Sequence, residues 1–508
     1  MSSLQEYIIN KFFYSDDYIN LDKSIASTLI IENERLFNSK RKFIINSKDQ
    51  LDYLLSLDLH LHKIKINFDG KIDNLQDDIK EIILYSGFTN NIKKWPKSLT
   101  HLTVESDTSF SCKCGRKTYN RCMELPTSLT HLILKKWLYK PITKWSLSLK
   151  HLELKFNVAT YDVILPEPVE HLTLENVYNI KSLPKNLVSL YVKHISLIDN
   201  DLTNLTKLKH LTLHNYIHLD NLPITLTKLT LYDSGYNNNT FALSRFYNLR
   251  YLVIGNEIDV SLNDIPKYLT HLTVGNNFNY PIDNLPNSLT YLSIGNGFNH
   301  PIDKLPKYLV YLKLGDEFNR PFNIFPQHLK TLIVGNKFDH SLNHIISKTL
   351  RYLTLGRDFN QDIALCTSFP NLEHIDFGYY YNKLLTRWPK SLTYLKYGDG
   401  FNLDIDVYPE NLKQFIVGYN YNRPLKNLPN SITDITFGRK YNRYIKKWPS
   451  NLQSLTLGAR YNQTLENLPS SMNYIKLDGT YVHYKDELSI KYPNIEIKYG
   501  DINHLDIN

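Results

Sequence analysis

Apolar positions along this chain fall into one pattern, L-x-x-L-x-L, that returns about every twenty residues. Its first position recurs twenty-one times, from Leu61, Ile79 and Leu99 to Leu452 and Met472. Most intervals are 20 residues, a few are 18 to 23, and one, Leu99 to Leu129, is 30. Within "HLTVG" (His271 to Gly275), Leu272 and Val274 alternate with His271 and Thr273, the period of two that a strand requires. One such unit cannot bury its apolar side alone, so the units are expected to stack, each strand pairing in parallel with the next. At about 4.8 Å per strand, twenty-one units would extend roughly 100 Å along the sheet.

The fold class expected is therefore a repeat solenoid, leucine-rich-repeat-like, with one short parallel strand per turn of about twenty residues. A helical crossover has no room in so short a turn, so the return segments should be mostly extended. "LP", "FP" or "WP" pairs such as Leu285-Pro286, Phe325-Pro326 and Trp388-Pro389 bias the back of the turn toward polyproline geometry. Gly255, Gly275, Gly295, Gly335, Gly356, Gly398 and Gly438 end strands, where the expectation is a positive φ. An aromatic-Asn pair follows, from Phe278-Asn279 through Phe359-Asn360 to Tyr461-Asn462. Its rings should stack as a buried spine and its Asn side chains should satisfy backbone groups at the corner.

The unit F-N-x-P-I-x-x-L-P-x-S-L-T-x-L-x-I-G over residues 278–295 resembles the FNIP repeat, a leucine-rich-repeat relative of social amoebae and giant viruses that infect amoebae. The resemblance runs over residues 61–478, although the Phe-Asn pair is mostly lost before Leu249. It implies a curved solenoid used as a protein-binding surface and no reaction. The absence of a secretory pattern at the N-terminus leads to the expectation of an intracellular protein, in the host cytoplasm if the source is viral.

Three segments follow. Residues 1–58 form a helical N-terminal cap or a degenerate F-box-like segment; residues 59–480 form the solenoid, with a Cys-bearing insertion near 107–123; residues 481–508 cap the other end. Leu4, Ile8, Phe12, Leu21, Ile25 and Leu29 have amphipathic-helix spacing, as a capped solenoid end requires. The family resemblance supplies the alternative, residues 1–45 as the adaptor-binding module of an F-box-type ubiquitin ligase, but the usual Leu-Pro opening is missing. "SKDQLDYLLSL" (Ser47 to Leu57) is expected as a capped short helix, and Tyr484 to Gly500 as a last irregular turn.

The outward third position carries His101, His131, His151, His171, His210 and His271, with Tyr251, Tyr291, Tyr311, Tyr352 and Tyr394. A solvent-facing ring ladder suits a parallel sheet, and as large, stiff contact surface it is the candidate partner-binding row. Thr and Ser recur at the fifth position, as at Thr103, Thr273 and Ser293. Cys112, Cys114 and Cys122 cluster in the insertion, yet Cys-x-Cys spacing with three local ligands fits free thiols better than zinc, and Cys366 is expected buried. The "KKWP", "KW" and "RWP" pieces at Lys93, Lys144, Arg387 and Lys446 read as core Trp beside solvated Lys.

Composition adds constraints. A net charge of +9 without a basic block argues against nucleic acid. The N-terminus lacks a signal-peptide pattern, and no apolar run reaches the roughly 18 residues of a membrane span. Four cysteines make no disulfide framework and fit a reducing compartment, in which the Asn-x-Thr triplets at Asn204, Asn238 and Asn462 go unglycosylated. No catalytic grouping, phosphate loop or cofactor motif is present in the sequence, so the reading is a non-enzymatic scaffold with a protein partner.

Overall fold

The computed structural model describes residues 19–20, 42–56, 62–105, 125–136, 142–155, 163–193, 201–232, 242–478 and 485–500, apart from short gaps at 73, 86, 89–91, 93, 143, 178–179, 215–217 and 259. The chain divides into two compact units, residues 1–231 and 232–508. Each of the twenty-one pattern positions delivers a strand, from Lys63–Ile66 to Tyr474–Leu477. In the first unit, strands pair in parallel and in chain order from Ile19–Asn20 and Lys42–Ile45 to Lys228–Leu231. In the second, the same order runs from Tyr251–Ile254 to Glu496–Tyr499.

Alternation sets the register. Leu272, Leu292, Leu312, Leu332 and Leu353 stand in one column, each fully buried, because a shift of one residue would turn every leucine to solvent. Return segments are extended, and among the described residues of the repeats only Leu219–Asn221 and Leu365–Ser368 wind into short helical turns.

The corner after each strand explains why the repeat length is so constant. Phe278, Phe298, Phe318, Phe338 and Phe359 stack with ring centroids 6.0–6.1 Å apart and are fully buried. Tyr381 continues this spine, and Phe401, Tyr421, Tyr441 and Tyr461 repeat it. Most of the residues that follow accept a hydrogen bond from the backbone N–H one turn later: Asn299 N to Asn279 Oδ1 at 3.0 Å, Asn319 N to Asn299 Oδ1 at 3.0 Å, Asn442 N to Asn422 Oδ1 at 3.0 Å, with Asp339 in the same role for Asn360 N at 2.9 Å. The Asn thus joins neighbouring turns at the corner. A second ladder of the same kind runs just after the glycines, as in Asn296 N to Asn276 Oδ1 at 3.1 Å.

The glycines correct a sequence expectation. No described glycine has a positive φ. A Cβ on Gly275 would lie inside the contact distance of the Gly255 carbonyl oxygen, and one on Gly335 inside that of Gly315. Glycine stands here because adjacent turns bring their backbones together at this column, not because the turn is left-handed.

The expected helix at the N-terminal side is present as Lys48–Ser56, with Gln50 N donating to Ser47 Oγ at 3.2 Å and Asn46 N to Gln50 Oε1 at 2.6 Å. The preceding residues, Lys42–Ile45, are a strand and extend the sheet upstream. The segment after residue 484 is more regular than its sequence suggests: a helix, Lys485–Lys491, returns the chain to the strand Glu496–Tyr499. The amphipathic pattern and F-box-like reading of residues 1–41 lie, apart from Ile19–Asn20, outside the described residues.

Candidate partner-binding face

The strand alternation that buries leucine at the fourth position turns the third position outward, and parallel in-register pairing places equivalent side chains one rung apart. In the first unit this brings His101, His131, His151 and His171 into one stack, with centroids 4.0, 4.0 and 4.3 Å apart and rings within 11° of parallel. Thr100 and Thr130 hold Nδ1 of the adjoining His101 and His131 at 2.9 Å through their hydroxyls, which fixes the ring planes. The same threonines donate to the carbonyl of the preceding turn, Thr130 Oγ1 to Thr100 O at 3.1 Å. The repeat pattern marks Thr at the fifth position and carries no signal for this second-position role.

Loss of hydration depresses the ring basicities. Burial lowers His101, where Glu81 opposes it, and lowers His151, where Glu170 and Glu153 oppose it. Among the described residues the charges that act on His131 are those of histidines, and burial together with their repulsion takes it to about 4. His210 is lowered by burial, then by Lys228 and His171. The stacked imidazoles face one another rather than converging on a point, and no group of three or more His, Cys, Asp or Glu able to hold a metal occurs among the described residues. Cys112, Cys114 and Cys122 lie outside those residues.

The second unit carries a row of its own, with Tyr251 and His271 at 4.3 Å, Tyr291 and Tyr311 at 4.4 Å, and His374 and Tyr394 at 3.8 Å. Burial lowers His374 to about 4, with Lys396 adding to the effect. All eleven expected residues of the row therefore lie on strands of the sheet: His101, His131, His151, His171 and His210 in one unit, Tyr251, His271, Tyr291, Tyr311, Tyr352 and Tyr394 in the other.

Beside this row, in the second unit, runs a trough of about 540 Å³ that sequence reading did not locate. The glycine column, Gly315 to Gly398, lies along its floor. Fifth-position side chains (Lys313, Ile333, Thr354, Asp376, Lys396) line one side and Asp316, Asn336, Arg357, Tyr379 and Asp399 the other. Asp376 and Lys396 pair at 3.1 Å with little exposure, and burial holds the Asp376 carboxyl above its usual range against the pull of Lys396. The strands here shorten to three residues, as in Tyr311–Lys313 and Tyr352–Thr354.

The remaining candidates fall to structural roles. Trp145, Trp388 and Trp448 each donate Nε1–H to a carbonyl of the next turn, at 3.0, 3.0 and 3.1 Å, which makes them pins between rungs. Trp448 is buried, whereas Trp145 and Trp388 are half-buried, so the core assignment holds fully only for the first. Cys366, expected buried, is partly exposed in the short helix Leu365–Ser368, and burial pushes its thiol up. No helix among the described residues is long and apolar enough to cross a membrane.

A family model described as FNIP Repeat matches residues 260–297, 298–337, 402–440 and 441–479. Among solved structures, the chain is similar to CroV588, described as a novel circular LRR protein. The two are 23% identical over 87% of this chain and 79% of that one, with a TM-score of 0.56. That likeness shows the fold. YopM from Yersinia enterocolitica WA-314 aligns at 16% identity over 90% of this chain and all of its own, with a TM-score of 0.34. YopM from Yersinia pestis, a leucine-rich effector protein, aligns at 19% identity over 71% and 83%, with a TM-score of 0.30. No curated protein matches.

Proposed function

Because this chain carries FNIP repeats and is a solenoid of leucine-rich-repeat type, we propose that it is a non-enzymatic scaffold that holds a protein partner against the outward face of its sheet. The observation that supports this most is the ring row. Aromatic side chains with two rotatable bonds, already stacked and hydrogen-bonded, offer contact area at low entropic cost. Tyr251 and Tyr352 are 45% and 46% exposed, which leaves part of each ring open to a partner.

The test is affinity capture by the full chain and by a Tyr291→Ala/Tyr311→Ala variant whose circular dichroism matches the parent. Two truncated aromatic contacts near the centre of an interface should reduce capture of the partner by about ten-fold or more. Every partner captured as before would remove the reading.

A further inference from the structure

From Tyr251 to Tyr394 the third-position row bears a ring at every rung but one. Tyr311 pairs in register with Thr331, and Thr331 with Tyr352, so a small side chain stands between two ring-bearing rungs. The first unit has the same interruption: Ser189 stands between His171 and His210.

The spacing of such a gap is set by the sheet. Neighbouring parallel rungs are about 4.8 Å apart, so the rungs either side of Thr331 are about 9.6 Å apart. The closely stacked pairs of this unit's row stand 3.8 to 4.4 Å apart. Twice that distance is about 8–9 Å, which leaves room for one more ring and not for two. Tyr352 is free to take part, since its ring meets His374 only at 5.9 Å and 42° and is half-exposed. The trough runs directly alongside: Ile333 and Thr354, each two residues further along their strands from Thr331 and Tyr352, line it.

We infer that the Thr331 gap is a slot that receives one aromatic side chain of the protein partner, sandwiched between Tyr311 and Tyr352, while the flanking partner chain lies in the trough. The inference rests on the sheet face being the partner-binding surface. The charged walls, Lys313 and Arg357 with Asp316 and Asp376, then select polar or charged neighbours around that aromatic residue. The five rungs of trough span four spacings, about 19 Å, and accommodate roughly six extended residues.

The experiment has two readouts on the full chain. First, N-acetyl-tryptophanamide is titrated into protein carrying ¹³C-methyl threonine, with Thr331→Ser supplying the assignment. A saturable upfield ring-current shift of the Thr331 methyl, absent with N-acetyl-leucinamide, supports the slot; no shift, or an equal shift with the leucine compound, overturns it. Second, Thr331→Tyr fills the gap with a residue the row already uses at Tyr251, Tyr291, Tyr311, Tyr352 and Tyr394, so folding is preserved. Partner capture should fall about ten-fold or more with Thr331→Tyr and stay within about two-fold with Thr331→Ser. If capture depends on Tyr291 but Thr331→Tyr leaves it undiminished, the slot is refuted and the binding face stands. If capture is indifferent to Tyr291 as well, the face itself is refuted, and the slot with it.

Discussion

Acidification should loosen the first unit through its histidine stack, and His131 sets the size of the effect. Its ring lies 4.0 Å from both His101 and His151, with no carboxylate to share a proton, and its basicity falls from 6.5 to about 4. The folded state thus binds fewer protons than the unfolded one between those two values. Stability is whole above pH 6.5 and is lost as pH falls through the window from 6.5 to about 4. Linkage for this single ring gives a loss of about 2 kcal/mol by pH 5. Solvent screening of a partly exposed ring reduces that to about 1 kcal/mol. His101, His151 and His210 act in the same direction.

In a unit of this size 1 kcal/mol corresponds to about 2 °C of melting temperature. Calorimetric scans at pH 7.5 and 5.0 should therefore show the parent losing about 2 °C more than His131→Tyr, a variant that keeps a stacking ring and removes the titration. An NMR titration that places His131 at or above 6.5, or parallel pH profiles for the two proteins, would refute the reasoning.

Two further outcomes follow from the packing. Gly335→Ala puts a methyl against the Gly315 carbonyl, a backbone atom that cannot yield without separating two turns; a loss of about 2–4 kcal/mol in urea unfolding is expected, and a neutral result would show that the glycine column is not closely apposed. Tyr421→Phe removes a buried hydroxyl that has no hydrogen-bond partner among the described residues, so stability should be unchanged or rise by up to about 1 kcal/mol, measured by the same unfolding curve.

How far the sequence carried depends on whether a feature belongs to one turn or to the relation between turns. Strand positions, buried leucines and the aromatic spine are properties of a single unit, and the L-x-x-L-x-L period marks all of them. The glycines looked like turn residues because one unit in isolation offers no other reason for them. Only stacking reveals that Gly275 has the Gly255 carbonyl where its side chain would be. The same holds for Asn279, whose partner is twenty residues away, at Asn299 N. The trough was hidden for a related reason. It spans the intervals Leu329 to Leu350 and Leu350 to Leu372, of 21 and 22 residues, where the repeat departs from its usual length and lining residues from five turns are brought side by side. The interruption at Thr331 acquires meaning only when ring spacing can be set against rung spacing.

The asparagine ladder bears on how such a chain grows. Asn299 donates its amide hydrogen to the turn before and accepts one from the turn after on its side-chain oxygen, so the rungs of the second unit that carry this Asn offer the same plug at one end and the same socket at the other. A gene segment encoding one whole rung can be copied or excised and the cut ends will still mate, whereas a cut of any other length leaves plug and socket out of phase. Length is thereby a heritable trait that varies in steps of one rung, and a lineage carrying this device can alter how much surface it presents without inventing a new core.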